Sequence, residues 1–359
     1  MSGHPRTPRS RPPVSVVLLT LLVTLATVVT STAFLMRPAV SPQAFALARD
    51  VPTVSPAPPA SDPRGLHLVL VPHPDDELSA WTSLLEADDL RPVVVLLTQG
   101  EATQHCAADV MDRRLQTDLG EVPPEPDPTV GGGGSLACRE ARLGSFRAAM
   151  TEAAGHTPSV RLDWSAARPV DIDGLEALLV TGESATLIAL DLGDDALTTD
   201  TVETAVRGVL SRPFALGLPD LPLVRITSSA YYATEQEPTA CDSLALCPPG
   251  ETPYVYDRPD HLAVREVART LAPLTEEGSW LVTHSYDPAA NRHLALPEEI
   301  YDQFMGLGSG DPRTAQRLGS HQRFYGWLAF PDVWRTGELP LQAEQVLFPR
   351  VQSYEVVTP

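Results

Sequence analysis

The residues best suited to chemistry stand together in one short run, Pro72-His73-Pro74-Asp75-Asp76-Glu77. His73 and Asp76 are three apart, and the two prolines restrict the backbone that carries them. Across a turn that enters a helix, this spacing lets an imidazole and a carboxylate converge on one ion. Asp75 lies between them and need not bind the ion; it is placed to take a proton from a water held there. A catalytic zinc takes three protein ligands and keeps one position open, so a third ligand must come from elsewhere. The segment Asp257-Arg258-Pro259-Asp260-His261 offers His261, just before a helical segment and after a loop that leaves a strand. Each piece also has a plainer reading. Asp-Asp-Glu after proline is what caps a helix and complements its dipole, and His261 is also an ordinary residue for a helix start.

The elements around these residues place them on one side of a sheet. Apolar runs at 66–71 and 93–98 are rich in β-branched residues, as buried parallel strands are, and 77–86 between them has helical spacing. Further strands are predicted at 186–192, 223–228 and 280–286, and helices at 139–154, 201–211 and 261–274. The acidic, Gly- and Pro-rich segment 103–136 reads as a long loop. This alternation predicts an α/β fold: a Rossmann-like, mostly parallel sheet with helices on both faces. Ligands on such sheets sit beyond the carboxyl ends of the strands, the side on which His73 and His261 both fall. Glu101 and His105 follow the second strand, where they either line the same rim or are ordinary residues of a surface loop. His284 ends the last strand and Asn291 follows it; with Glu101 they are the candidate substrate contacts. Tyr231 and Tyr232 offer stacking faces for a sugar or simple loop packing. His67, at the start of a strand, points to the wrong end.

Composition narrows the function classes. The chain has 359 residues, 43% of them hydrophobic, and a formal net charge of −20. That field repels phosphate backbones, so nucleic acid is excluded as a partner. No lysine occurs, which removes a Walker-type loop, a kinase lysine and a Schiff base. The run Gly131-Gly132-Gly133-Gly134 is therefore a flexible loop and not a phosphate cradle. Residues 14–36 form an uncharged apolar stretch of about the length a bilayer needs, roughly 20 residues. Arg6, Arg9 and Arg11 precede it, which keeps residues 1–13 in the cytoplasm and the rest outside. The stretch is either a single-pass membrane anchor or a signal peptide, cut near Ala33 or within 44–48, that leaves a secreted domain. Residues 37–64 are a Pro/Ala-rich linker, and the folded domain is 65–359. Cys106, Cys138, Cys241 and Cys247 all follow the apolar stretch, in an oxidising compartment on this topology. Cys106 with Cys138 and Cys241 with Cys247 is the favoured pairing, since each brackets a turn-rich loop.

Taken in order, these motifs resemble the LmbE-like, or PIG-L, family of N-acetylglucosaminyl deacetylases. That family opens with a strand and [AP]HPDDE, matched by 66–71 and Pro72 to Glu77. A strand ending in T-x-G-E follows, here Leu97-Thr98-Gln99-Gly100-Glu101, then a helix rich in Arg and Glu, here from Arg139-Glu140. A late H-x-D-H completes the pattern, matched by Arg258-Pro259-Asp260-His261. The resemblance covers 66–286. It implies Zn2+ held by His73, Asp76 and His261, Asp75 as general base, and removal of an acetyl group from the nitrogen of an N-acetylated sugar or glycoconjugate. The chain departs from the pattern at Arg258, where the family has a histidine that stabilises the oxyanion or moves a proton, oriented by the Asp that follows. Arginine supplies charge and donors to an oxyanion but no general acid near neutral pH, and Asp260 is expected to hold it. Catalytic residues are then Asp75, Arg258 and Asp260. The alternative is a carbohydrate-binding relative that kept its zinc and lost turnover.

Overall fold

The computed structural model describes residues 51–56, 58, 60–102, 136–232, 259–283, 290–305 and 350–359. The apolar stretch 14–36, Cys106, Cys241, Cys247, the side chain of Cys138 and nearly all of the loop 103–136 lie outside the described residues. Among the described residues no helix is long and apolar enough to cross a membrane.

The first strand is β1 (Gly65–Val71), every residue of which is buried. A 3₁₀ segment (Asp76–Ala80) and α1 (Trp81–Glu86) follow, then β2 (Leu90–Leu96). After α2 (Leu136–Ala153) come β3 (Arg168–Ile172), β4 (Leu175–Thr181) and β5 (Thr186–Leu190). Next are α3 (Thr199–Ser211), β6 (Leu223–Tyr232), α4 (Pro259–Leu271) and β7 (Ser279–Thr283). The described chain closes with β8 (Arg292–Ala295), α5 (Glu298–Met305) and β9 (Val351–Val357). Among the described residues the strands form one sheet of nine in the order β3-β4-β5-β2-β1-β6-β7-β9-β8. From β5 through β2, β1 and β6 to β7 every pairing is parallel; the pairings outside them are antiparallel. In the centre, Val69 of β1 stands opposite Val94 of β2 and Thr227 of β6.

Helices cover both faces because the central strands are apolar on both. Val69, Val71, Val94 and Leu96 point to one side, where they meet Trp81 and Leu84 of α1, Phe146 and Met150 of α2, and Ile300 and Phe304 of α5. Leu68, Leu70, Val93 and Val95 point to the other and meet Val202 and Val206 of α3 and Val264 and Val267 of α4. This is the two-residue period of a strand written twice, once for each face. On α4 the buried positions Ala263, Val264, Val267, Ala268 and Leu271 form a single stripe. Burying one Val or Leu side chain is worth about 1.5–3 kcal/mol. The stripe therefore presses α4 onto the sheet and with it sets the place of His261.

The predicted strands and helices in the described residues are all present, with shifted ends. The segment predicted as a helix from Glu77 starts instead as the tighter 3₁₀ turn. The hairpin β3–β4 and the elements β8, α5 and β9 have no counterpart in the predicted set, and they make the sheet mixed at its edges. The hairpin had a signal. Asp173-Gly174 joins its strands with both residues at positive φ (55° and 88°), the backbone of a two-residue turn that Asp-Gly favours.

Candidate metal centre

The turn after β1 is built by backbone bonds to the end of β2. Thr98 N–H and its hydroxyl both donate to Pro72 O (3.1 and 2.9 Å), and Leu97 N–H donates to Val71 O (2.9 Å). Asp76 N–H then donates to His73 O (3.2 Å), and Asp76 Oδ2 accepts from His73 N–H (3.1 Å). Ser79 Oγ lies 2.8 Å from the carbonyls of Asp76 and Ser229, which ties the 3₁₀ segment to β6. Asp75 sits in the middle at φ 127°, a backbone conformation that costs an L-residue about 1–3 kcal/mol.

His261 enters from the first turn of α4 and is fully buried. Its Nε2 lies 3.2 Å from Asp76 Oδ2 and 3.3 Å from His73 Nδ1, and His73 Nδ1 lies 3.1 Å from the same Asp76 oxygen. Three donor atoms thus make a near-equilateral triangle. Zinc bonds of about 2.0–2.1 Å in tetrahedral geometry put neighbouring donor atoms about 3.3–3.4 Å apart, so the triangle fits the ion with little movement.

The far side of His73 is also engaged. Its Nε2 is 3.0 Å from Asp194 Oδ1 and 3.0 Å from Asp260 Oδ2. Asp260 is held in turn by backbone N–H groups of Asp195 (2.9 Å, to Oδ2) and Leu197 (3.0 Å, to Oδ1). Asp194 Oδ2 accepts from Ala102 N–H (2.6 Å). Carboxylates on both sides of Nε2 keep its hydrogen there and leave the Nδ1 lone pair toward the triangle, the usual arrangement behind a metal-bound histidine. The described residues hold a second set of converging donors, His73, Asp194 and Asp260. It is the poorer ligand set, because both Asp260 oxygens are already bonded to backbone N–H groups.

The charges agree. Burial pushes the His73 ring toward its neutral form, but the carboxylates of Asp194, Asp260 and Asp76 outweigh it and hold the ring well above the ordinary histidine value. Burial pushes Asp76 up, and His261 and His73 more than reverse that, leaving it well below the carboxylate range. Asp194 is likewise lowered, burial being outweighed chiefly by His73. The cluster asks for positive charge. A proton on His73 supplies it without metal, and proton and metal compete for the same nitrogen.

Of the residues expected here, His73, Asp75, Asp76, Asp260 and His261 are brought together. Asp260 touches His73 and backbone amides, so its place is behind a candidate ligand, whereas the sequence pattern suggested a partner for Arg258. Glu101 is buried and paired with Arg139 (3.1 Å), with Asp194 N–H 3.5 Å away. It braces the loop that carries Asp194. Asn291 is at the other end of the sheet. Its side chain exchanges hydrogen bonds with the backbone of Val356 (2.7 and 3.1 Å), and it lines a cavity of about 510 Å³ with Arg225, Trp280 and Glu277. The reason is strand direction: β8 runs the same way as β7, so the residue before it lies level with the start of β7. Arg258, His284, His105 and the side chains of Tyr231 and Tyr232 lie outside the described residues.

Two residues at the site were not anticipated. Asp194 is reached because β5 lies next to β2, a neighbour relation that no spacing encodes. Arg142 comes from α2, and it did carry a signal: it interrupts the buried stripe that continues through Phe146, Ala149 and Met150. Its Nη2 donates to Pro74 O (2.8 Å) and lies 3.2 Å from Asp75 Oδ2. No family model matches the chain, and no curated protein and no solved structure matches it, so the site stands on its own geometry.

Proposed function

We propose that the chain is a zinc-dependent N-deacetylase of the LmbE-like kind, acting on an N-acetylated sugar or glycoconjugate outside the cytoplasm. The observation that carries the reading is the triangle of His73 Nδ1, Asp76 Oδ2 and His261 Nε2, at distances suited to one tetrahedral ion. The strand order β5-β2-β1-β6-β7 supports a Rossmann-like core, with the ligand residues following the carboxyl ends of β1 and β6. Zinc at this place would polarise an amide carbonyl and lower the pKa of water at its open position to about 7.

The chain's own residues supply the rest. His73, Asp76 and His261 would hold the ion, and Asp194 and Asp260 hold the ring of His73. Asp75 takes the proton as the water oxygen bonds to the carbonyl carbon, and returns it to nitrogen as the C–N bond breaks. The products are a carboxylate and a protonated amine, which between them hold all the atoms of the water. Arg258 stands where the resembled family has a histidine, and its permanent charge suits it to the carbonyl oxygen rather than to proton transfer.

The test is elemental analysis together with an amine-release assay on a panel of N-acetyl sugars. Wild type should carry about one zinc per chain and release amine. Asp75→Asn should keep the zinc and lose about 10²–10⁴-fold in rate. Zinc present with no amine release from any substrate would favour the non-catalytic binding relative. Absence of zinc would end both readings.

A further inference from the structure

Asp75 is held in a backbone conformation that it does not favour, and three other residues account for its staying there. We infer that Arg142 is the positioning residue of this site: it clamps the Asp75 carboxylate and the turn beneath it, and Gly100 exists to let the guanidinium in.

Arg142 is buried, and its side chain reaches from α2 to both halves of the turn. One contact is to the backbone, Nη2 to Pro74 O at 2.8 Å, and the other to the carboxylate, Nη2 to Asp75 Oδ2 at 3.2 Å. From the other direction, Glu77 Oε2 accepts the Asp75 N–H (2.9 Å). Pro74 O, Asp75 N and Asp75 Oδ2 are therefore all tied, so φ 127° is over-determined by the surroundings, the condition under which such a conformation persists. Gly100 completes the clamp. A Cβ there would lie 2.5 Å from Cζ and Nε of Arg142, so only glycine leaves the guanidinium its place; φ +66° at Gly100 asks for glycine as well. The Gly in Thr98-Gln99-Gly100-Glu101 thereby acquires a role at the site without touching any donor atom of the triangle. The carboxylate of Asp75 keeps some solvent access, at 15% side-chain exposure against 5% for Arg142, so one of its faces is open to a water. Arg142 acts through Asp75 and is not itself a metal ligand.

The rate readout rests on the deacetylase reading, and a second readout does not. Arg142→Met, Arg142→Lys and Gly100→Ala would be made in the full chain, each assayed for zinc content, kcat and KM. Misplacing a reacting group by about 1 Å costs about 10²-fold. Arg142→Met should therefore lower kcat by about that factor, with KM changed less than about threefold and zinc retained. Added guanidinium should restore part of the loss, and Arg142→Lys should fall between wild type and Met. Gly100→Ala, which keeps the guanidinium but pushes it aside, should reproduce the Met phenotype and stands in for it if Arg142→Met does not fold. A kcat equal to wild type in both Arg142→Met and Gly100→Ala overturns the proposal. So does zinc loss in Arg142→Met as complete as in His73→Ala. If wild type hydrolyses no amide, the deacetylase reading fails, and crystal structures of wild type and Arg142→Met decide the positioning claim alone. Asp75 should return to negative φ, or its carboxylate should swing away, in the variant. An unchanged Asp75 refutes the clamp.

Discussion

The two ends of the central strands each carry a cluster of buried charge, and the clusters are built on opposite plans. At the amino ends, Arg225 pairs with Glu86 and Glu277, Arg292 pairs with the same Glu86, and both guanidinium groups lie over the Trp280 ring at 3.9 and 4.5 Å. Each charge there meets one of opposite sign. At the carboxyl ends, Asp75, Asp76, Asp194 and Asp260 gather around two imidazoles and the Arg142 guanidinium, with three lone-pair atoms aimed at one point. The first plan closes on itself and serves stability. The second leaves an excess of negative charge and a vertex for a cation. Charge balance and donor direction separate the two ends.

That contrast can be broken at either end. Removing a triangle corner has the largest expected effect. His261→Ala should reduce bound zinc to about a tenth of the wild-type content or less after dialysis, since two donors do not make a zinc site. Retained stoichiometric metal, read by elemental analysis, would show that the ion lies elsewhere. At the amino ends the opposite pattern is expected. Arg225→Met takes the buried guanidinium from Glu86 and Glu277, which are part-exposed and keep Arg292 and Arg64, so the loss should be about 1–3 kcal/mol. A denaturant titration should show that loss while zinc content per folded chain stays at the wild-type level. Metal loss without loss of stability would reverse the assignment of the two ends.

Asp194→Asn offers a smaller and sharper test. It keeps the shape and weakens the hold on His73 Nε2–H, so zinc affinity should fall about 10–100-fold. A chelator competition titration measures it, and an unchanged affinity would make Asp194 a loop residue only.

The pH responses of the two ends differ in cause. His67, buried beside Arg225 with Nε2 2.8 Å from Thr227 Oγ1, is pushed well below the ordinary histidine value by burial and then by the Arg225 charge. Its proton therefore binds in the unfolded chain and not in the folded one. Unfolded chains bind more protons in the window below about 6.5, so stability should fall as pH drops through it. His67→Gln should flatten that fall in urea midpoints measured between pH 5 and 7. At the carboxyl ends His73 is raised, so the metal-free protein gains stability from its protonation at low pH and loses that part as pH rises through the raised value. Zinc binding needs the proton gone, so affinity should climb with pH over the same range. A zinc affinity independent of pH would mean that His73 is not a ligand.

The parallel core was legible because its strands are apolar on both faces and its helices keep one buried stripe. The turn Pro72 to Glu77 was legible because two prolines and three acids in six positions leave few structures open. His261 was nominated by its place after a strand and before a helix, and Asp260 by its neighbour. These are local properties, written in spacing and in residue type, and the sequence by itself determined them. The edges were less legible: β3 is mostly exposed and β8 has four residues, so neither shows the period of a buried strand. What only the tertiary structure decided is which groups meet. Asp260 turns to His73 because the backbone amides of Asp195 and Leu197 fix its carboxylate, and both amides follow a strand far away in the chain. Asp194 arrives because β5 pairs with β2, and Arg142 because Gly100 has no side chain. Asn291 leaves the site because β8 runs parallel to β7. Strand neighbours and strand directions follow from how the whole set of apolar faces closes over one sheet, and no short stretch of sequence contains that information.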